Sequence, residues 1–199
     1  MDFPALALLE FSSIAAGIVA GDAMVKHAPV ASIQTGTVQP GHYLVLVTGD
    51  VAAVEEAVKA GQAAGQADLR DLVFLPNVHP AVVRGRAAAA GSQQQQLPAA
   101  AALGIVETQT AAAVIRGADA GMKNTEVDLV QLRLADGLGG KGVAFFSGLV
   151  ADVEAAVAMA AAAAQAQLLR QAVISQLHPD MRANVHMGRF GGHFDWNVS

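Results

Sequence analysis

The stretch DAMVK at residues 22–26 has a partial echo, DAGMK, at residues 119–123, and 97 positions separate the two in a chain of 199 residues. Laying the second half under the first extends the match in both directions. LALLE (6–10) meets LGIVE (103–107), PGHYLVLVTGDVAAVEEAV (40–58) meets GGKGVAFFSGLVADVEAAV (139–157), and LPNVHP (75–80) meets ISQLHP (174–179). The blocks keep their order, and the offset grows only once, by two residues, between DAGMK and GGKGV. Chance does not hold four blocks in register. The chain reads as two copies of one domain of about 85 residues, too few copies for a solenoid.

The spacing places the first domain at 1–86 and the second at 102–186. Between them, residues 87–101 read AAAAGSQQQQLPAAA, a low-complexity linker with Gly, Pro and the Gln93–Gln96 run. The tail at 187–199, MGRFGGHFDWNVS, has no counterpart in the first half; its Trp, two Phe and paired Gly suggest a segment that docks on something.

Within one unit, Ala5–Phe11 is an apolar run with the shape of a buried strand. Ser12 and Ser13 offer an N-cap, and a helix follows to about His27, stopped by Pro29. Val30–Val38 and Tyr43–Val47 read as strands joined by the turn residues Gln39-Pro40-Gly41. Asp50 is a good N-cap for a helix in which Val51, Val54 and Val58 recur at helical spacing. Leu72–Leu75 is a last strand, and a short helix is expected after Pro80. The second half repeats the pattern with strands at 102–108, 127–134, 142–147 and 168–174 and helices from Thr110 and from 149. The fold class is therefore α+β: two tandem ferredoxin-like units of order β-α-β-β-α-β, each an antiparallel sheet with helices on one face.

Composition narrows the function. Hydrophobic residues make up 53% and charged residues 15%, against about 25% charged in an average soluble protein, and mean hydropathy is +0.40. Every apolar run meets a Gly, a charge or a Pro before the roughly 20 residues a membrane span needs. MDFPALALLEF carries no Lys or Arg ahead of its apolar run, unlike a secretory signal. The surplus apolar surface is expected to be buried against other chains, in a cytosolic obligate oligomer. A net charge of −5 argues against nucleic acid. The absence of cysteine excludes disulfides, thiolate zinc sites, Cys-ligated Fe–S clusters and Cys nucleophiles.

The blocks A-L-x-x-x-E, D-A-x-x-K, a Gly-bearing turn before a strand ending in G-x-V, and P-x-x-H, each in two copies, resemble the bacterial microcompartment shell domain. The resemblance covers about residues 5–86 and 102–185 and implies a tandem-domain shell protein of the single-layer type. It implies that three chains form a pseudohexameric disc, that discs tile with other shell hexamers and pentamers around cargo enzymes, and that a central pore passes metabolites. It implies no cofactor, and neither membrane nor nucleic acid as a partner. By the same resemblance the edge lysine of D-A-x-x-K falls on Lys26 and Lys123. The family's P-R-P-H motif falls on Pro76-Asn77-Val78-His79 and Ser175-Gln176-Leu177-His178, so lateral contacts would involve Asn77, His79, Gln176 and His178, with neutral amides where the family has Arg. The pore loops fall on Val38, Gln39, Pro40, Gly41 and His42 and on Gly137, Leu138, Gly139, Gly140 and Lys141. Glycine-flanked amides beside Lys141 would favour anions and polar metabolites.

Four places invite a sharper chemical reading. Glu10 and Glu107, at equivalent strand ends, read as structural acids that accept backbone or interface hydrogen bonds. G-L-G-G-K-G at 137–142 leads into a strand, whereas a dinucleotide fingerprint opens a helix. His178, His186 and His193 match no standard zinc spacing. No Ser, His and Asp set has a nucleophile context. A structural, non-enzymatic protein is expected. The rivals are a trimeric small-molecule regulator of the same fold and an enzyme with a subunit-interface site. The enzyme would need a polar group beside Glu10 or Glu107, for which His42 and Lys141 are the candidates, both better placed in the loops.

Overall fold

The computed structural model describes residues 5–89 and 101–187. In the first unit β1 (Ala5–Phe11), α1 (Ile14–His27), β2 (Ser32–Val38), β3 (His42–Gly49), α2 (Val51–Gly65), β4 (Leu69–Leu75) and α3 (Pro80–Ala89) follow in order. The second unit repeats them as β5 (Ala102–Thr108), α4 (Ala111–Lys123), β6 (Asp128–Leu134), β7 (Gly142–Gly148), α5 (Val150–Ala164), β8 (Leu168–Ile174) and α6 (Pro179–Met187). Each unit forms a four-stranded antiparallel sheet, ordered β2-β3-β1-β4 and β6-β7-β5-β8. Residues 90–100 of the expected linker and 188–199 of the tail, His193 included, lie outside the described residues. Among the described residues no helix is long and apolar enough to cross a membrane.

Local chemistry sets the helix starts. The Ser13 side chain accepts from the Ala16 amide, and Thr110 accepts from Ala113. Asp50, expected as a side-chain cap, makes no such bond; its carbonyl instead takes the Val54 amide. Its counterpart in the second unit, Leu149, has no side-chain capping group, and its carbonyl likewise takes the Val153 amide, so the two helix starts share only this backbone bond.

Strand alternation decides the packing. Ala5, Ala7, Leu9 and Phe11 of β1 face their own helices, in a core with Ala20, Met24, Val54 and Val58. Gly65 sits where a Cβ would lie 2.4 Å from the Phe11 ring, so α2 lies flat on the sheet. The other β1 face, Leu6 and Leu8, joins Leu46, Val73 and Val78 in a second core that continues into Ala111, Ala112, Val114 and Ile115 of α4. Both faces of β1 are therefore covered, and all seven of its residues are buried. The two domains are thus packed together: β1 and β4 lie against α4, and α3 lies against β6.

Candidate functional site

The two loops expected at a pore are short because their turn residues suit tight reversals. Gly41 (φ 107°), Gly137 (φ 69°), Gly139 (φ 64°) and Gly140 (φ 89°) all lie in the left-handed region. The structure brings the two loops together within one chain. A Cβ on Gly140 would lie 3.1 Å from Pro40 Cδ and 3.3 Å from the Gln39 carbonyl oxygen. Gln39, Pro40, Gly41, Gly137, Gly139 and Lys141 remain exposed, and Val38, Leu138 and His42 are partly so.

Behind the loops stand the two acids. Glu10 is fully buried, and its Oε2 accepts from the Ala111 amide at 2.9 Å, at the first residue of α4. The carboxylate of the first domain thus meets the positive N-terminal end of the second domain's helix. His42 Nδ1 lies 3.3 Å and Arg70 Nη1 3.6 Å from Glu10 Oε1, which accepts no hydrogen bond among the described residues. Arg70 Nη1 also lies 2.7 Å from Nδ1 and 2.6 Å from Nε2 of His42; it donates to whichever ring nitrogen is unprotonated. Burial pushes the Glu10 carboxyl above the usual carboxylate range, the Ala111 amide and Arg70 pull it back, and Asp71 pushes it up again. Burial and then Arg70 hold the His42 imidazole below its ordinary value.

The second copy repeats the pairing: Lys141 Nζ donates to Glu107 Oε1 at 2.8 Å. The expectation that His42 and Lys141 keep to the loops is therefore only half the picture. His42 opens β3 and Lys141 immediately precedes β7, and each closes back onto the acid of the neighbouring strand. Arg70 was missed in the sequence. A β-bulge between Glu10 and Phe11 leaves it without a partner on β1, free to swing across Glu10 and His42. The same bulge recurs between Glu107 and Thr108, opposite Leu169.

The D-A-x-x-K stretches carry an internal i,i+4 ion pair. Lys26 meets Asp22 and Lys123 meets Asp119, both at 2.6 Å. The Lys26 side chain is 73% exposed and that of Lys123 35%, because Asp119 is buried at the domain junction. There Asp119 Oδ1 accepts from the His79 amide at 2.7 Å, so the P-x-x-H end of one domain meets the D-A-x-x-K end of the other. The His79 ring caps α3 through the Ala81 amide. Asn77, Gln176 and His178 are exposed, and His178 lies 3.4 Å from Asp180. A groove of about 960 Å³ opens along this edge between Arg84, Lys123, Glu126 and Asp152. Among the described residues no three His, Asp or Glu side chains gather where they could hold a metal ion.

The junction inside the chain is polar as well as apolar. Asp71 accepts from Thr110 Oγ1 at 2.5 Å and from Arg116 Nη2 at 3.2 Å, and Arg116 also donates to the Leu72 carbonyl at 2.7 Å. This closes β4 of the first domain onto α4 of the second.

Both halves match the BMC domain, over residues 5–78 and 102–177. The bacterial microcompartment shell protein PduT of Citrobacter freundii is 37% identical over 179 residues, which is 89% of this chain and 95% of that protein. The shell protein PduA of the same organism is 36% identical over 81 residues, 40% of this chain and 87% of its own. The crystal structure of a microcompartment protein from Desulfitobacterium hafniense DCB has a TM-score of 0.76 at 38% identity, over 92% of this chain and 99% of that one. A fused permuted hexameric shell protein, MSM0275, shares the fold with a TM-score of 0.57 at 19% identity, over 79% of each chain.

Proposed function

This chain belongs to the BMC-domain family, and on that premise we propose that it is a structural shell protein of a bacterial microcompartment, three copies of which close into a six-domain disc. The observation that carries the reading is an asymmetry between equivalent helices. Ile115 on α4 is 1% exposed because the first domain's β1 and β4 cover it; Ile18, its counterpart on α1, is 53% exposed. Ile14, Val19 and Val25 on α1 are exposed too, whereas Ala111 and Met122 at the matching places on α4 are buried. At the other end of the chain the pattern inverts. β8, the counterpart of β4, leaves Leu169 41% exposed among the described residues.

Each domain thus has a sheet-edge side that covers a helix and a helix that is covered. One such contact is made inside the chain, and one half-contact is left at each end. These two halves match each other head to tail, the geometry that builds closed rings. In such a ring the loops around Pro40 and Gly140 alternate about the axis and define the pore. Lys26, Lys123, Asn77, Gln176 and His178 stand at the rim, where lateral contacts to other shell hexamers and pentamers would form. The role is geometric and involves no catalytic step; cargo enzymes lie within the shell the discs enclose. The relatives do not favour a ligand-sensing regulator, whose mark would be saturable binding without assembly.

Sedimentation equilibrium tests the ring. Three chains of 20.2 kDa give about 61 kDa, independent of dilution over the micromolar range. A monomer of 20.2 kDa at every concentration would remove the reading.

A further inference from the structure

The junction inside the chain and the surfaces left open at its two ends do not carry the same chemistry. The repeat offsets fix the correspondence: Glu107, Lys141 and Arg170 stand where the first domain has Glu10, His42 and Asp71, and Ser13, Ile14 and Val19 stand where the second has Thr110, Ala111 and Arg116. The sheet registers agree, since Glu10 pairs with Asp71 and Glu107 with Arg170. Inside the chain, Glu10 accepts from the Ala111 amide, and Asp71 holds Thr110 and Arg116. In the second domain Glu107 is bonded to Lys141 through Oε1, and Oε2 has no donor among the described residues. On α1 the Ser13 side chain takes only the Ala16 amide, and the Ile14 amide has no acceptor among the described residues.

We propose that Glu107 of one copy, held in place by Lys141, caps α1 of a second copy by accepting from the Ile14 amide, and that Arg170 facing Val19 keeps this junction from exchanging with the one inside the chain. The proposal rests on the ring reading above and names the residues that close it. An ionised acceptor at a helix N-terminus satisfies an otherwise orphan donor and complements the helix dipole. The charge pattern supplies the distinction. An Arg116 presented to Arg170 meets a like charge, and an Asp71 presented to Val19 finds no donor. A chain therefore does not pair its own junction surfaces in the wrong order, and the two domains alternate around the ring.

The test uses the full chain. Glu107→Ala removes the acceptor and Glu107→Gln keeps a neutral one. Dissociation of the trimer is followed by sedimentation velocity on dilution, with hydrogen exchange of the peptide containing Ile14 read alongside. The wild type is expected to protect Ile14 as it protects Ala111. Glu107→Ala raises the dissociation constant about tenfold to a hundredfold for each junction, the range of a hydrogen bond to a charged group, and exposes Ile14 to exchange; Glu107→Gln falls between. The exchange Arg170→Asp is expected to weaken association, and adding Val19→Arg to restore it by rebuilding the Asp71–Arg116 pair between chains. A trimeric wild type whose Glu107→Ala variant dissociates and exchanges unchanged would overturn the clamp and leave the ring standing. A wild type that never associates would overturn both.

Discussion

The same substitution at two equivalent positions is expected to have opposite consequences. Ile18 and Ile115 occupy the same place in the repeat, yet one is 53% and the other 1% exposed. Ile115 is packed at the junction inside the chain, so Ile115→Asp removes a buried side chain at a cost of about 2–5 kcal/mol. It also buries a carboxylate without a partner, which costs several kcal/mol more. Against a typical stability of about 5–15 kcal/mol, that unfolds the chain or splits its domains. Ile18→Asp alters only a half-exposed residue of the single chain and leaves its melting behaviour nearly unchanged. In the proposed ring it acts differently. Ile14, Ile18, Val19 and Val25 leave 40%, 53%, 57% and 42% of their surface for a partner, worth about 3–6 kcal/mol per junction if wholly buried. A charge in the middle of that patch cancels most of this gain, so Ile18→Asp sediments as a folded monomer. Velocity sedimentation and thermal circular dichroism on both variants decide it. A trimeric Ile18→Asp protein, or equal loss of fold by both, would refute the argument from unequal burial.

Glu10 predicts a pH effect. A carboxyl whose pKa is higher in the fold than in the unfolded chain contributes stability below the ordinary carboxylate range and loses it as pH rises through the folded value. Glu10→Gln, which keeps an acceptor for Ala111, is therefore expected to gain on the wild type in melting temperature from pH 4 to pH 8; a gap that moves the other way would mean that Arg70 and Ala111 outweigh burial. Replacing Lys26 and Lys123 with Ala should leave trimers intact and abolish extended sheets in electron micrographs, with a somewhat lower melting temperature from the loss of the Lys123–Asp119 pair at the junction; sheets of normal order would remove the edge role. Gly140→Ala places a Cβ 3.1 Å from Pro40 Cδ at a φ of 89°, a strain of about 1–3 kcal/mol; denaturant titration should show a loss of that size, and none would mean that the two loops do not touch.

Strand and helix positions were legible because the duplication let each element be read twice. β1 and the end of α1 at His27 fall where the residues placed them, since an apolar run, a serine cap and Pro29 act locally. β2 begins at Ser32, not Val30, because Ala31 is held by the Thr48 carbonyl as the ladder opens. β4 begins at Leu69, ahead of the expected Leu72, because its early residues pair with β1 through a bulge that no local pattern announces. For the same reason Arg70 was invisible as a member of the Glu10 cluster. The closeness of the Pro40 and Gly140 loops, and the Asp119–His79 contact, depend on how one domain sits on the other. A single repeat does not carry that information, whereas the buried second face of β1 shows it at once.

Negative-stain electron microscopy of the purified protein, taken with its solution mass, tests the shell reading most directly. Flat discs of about 61 kDa, three chains of 20.2 kDa, that pack edge to edge into hexagonal sheets alone or mixed with a single-domain shell protein are the expected result. Particles of that mass that never tile in either condition would contradict it and return the ligand-sensing trimer to first place.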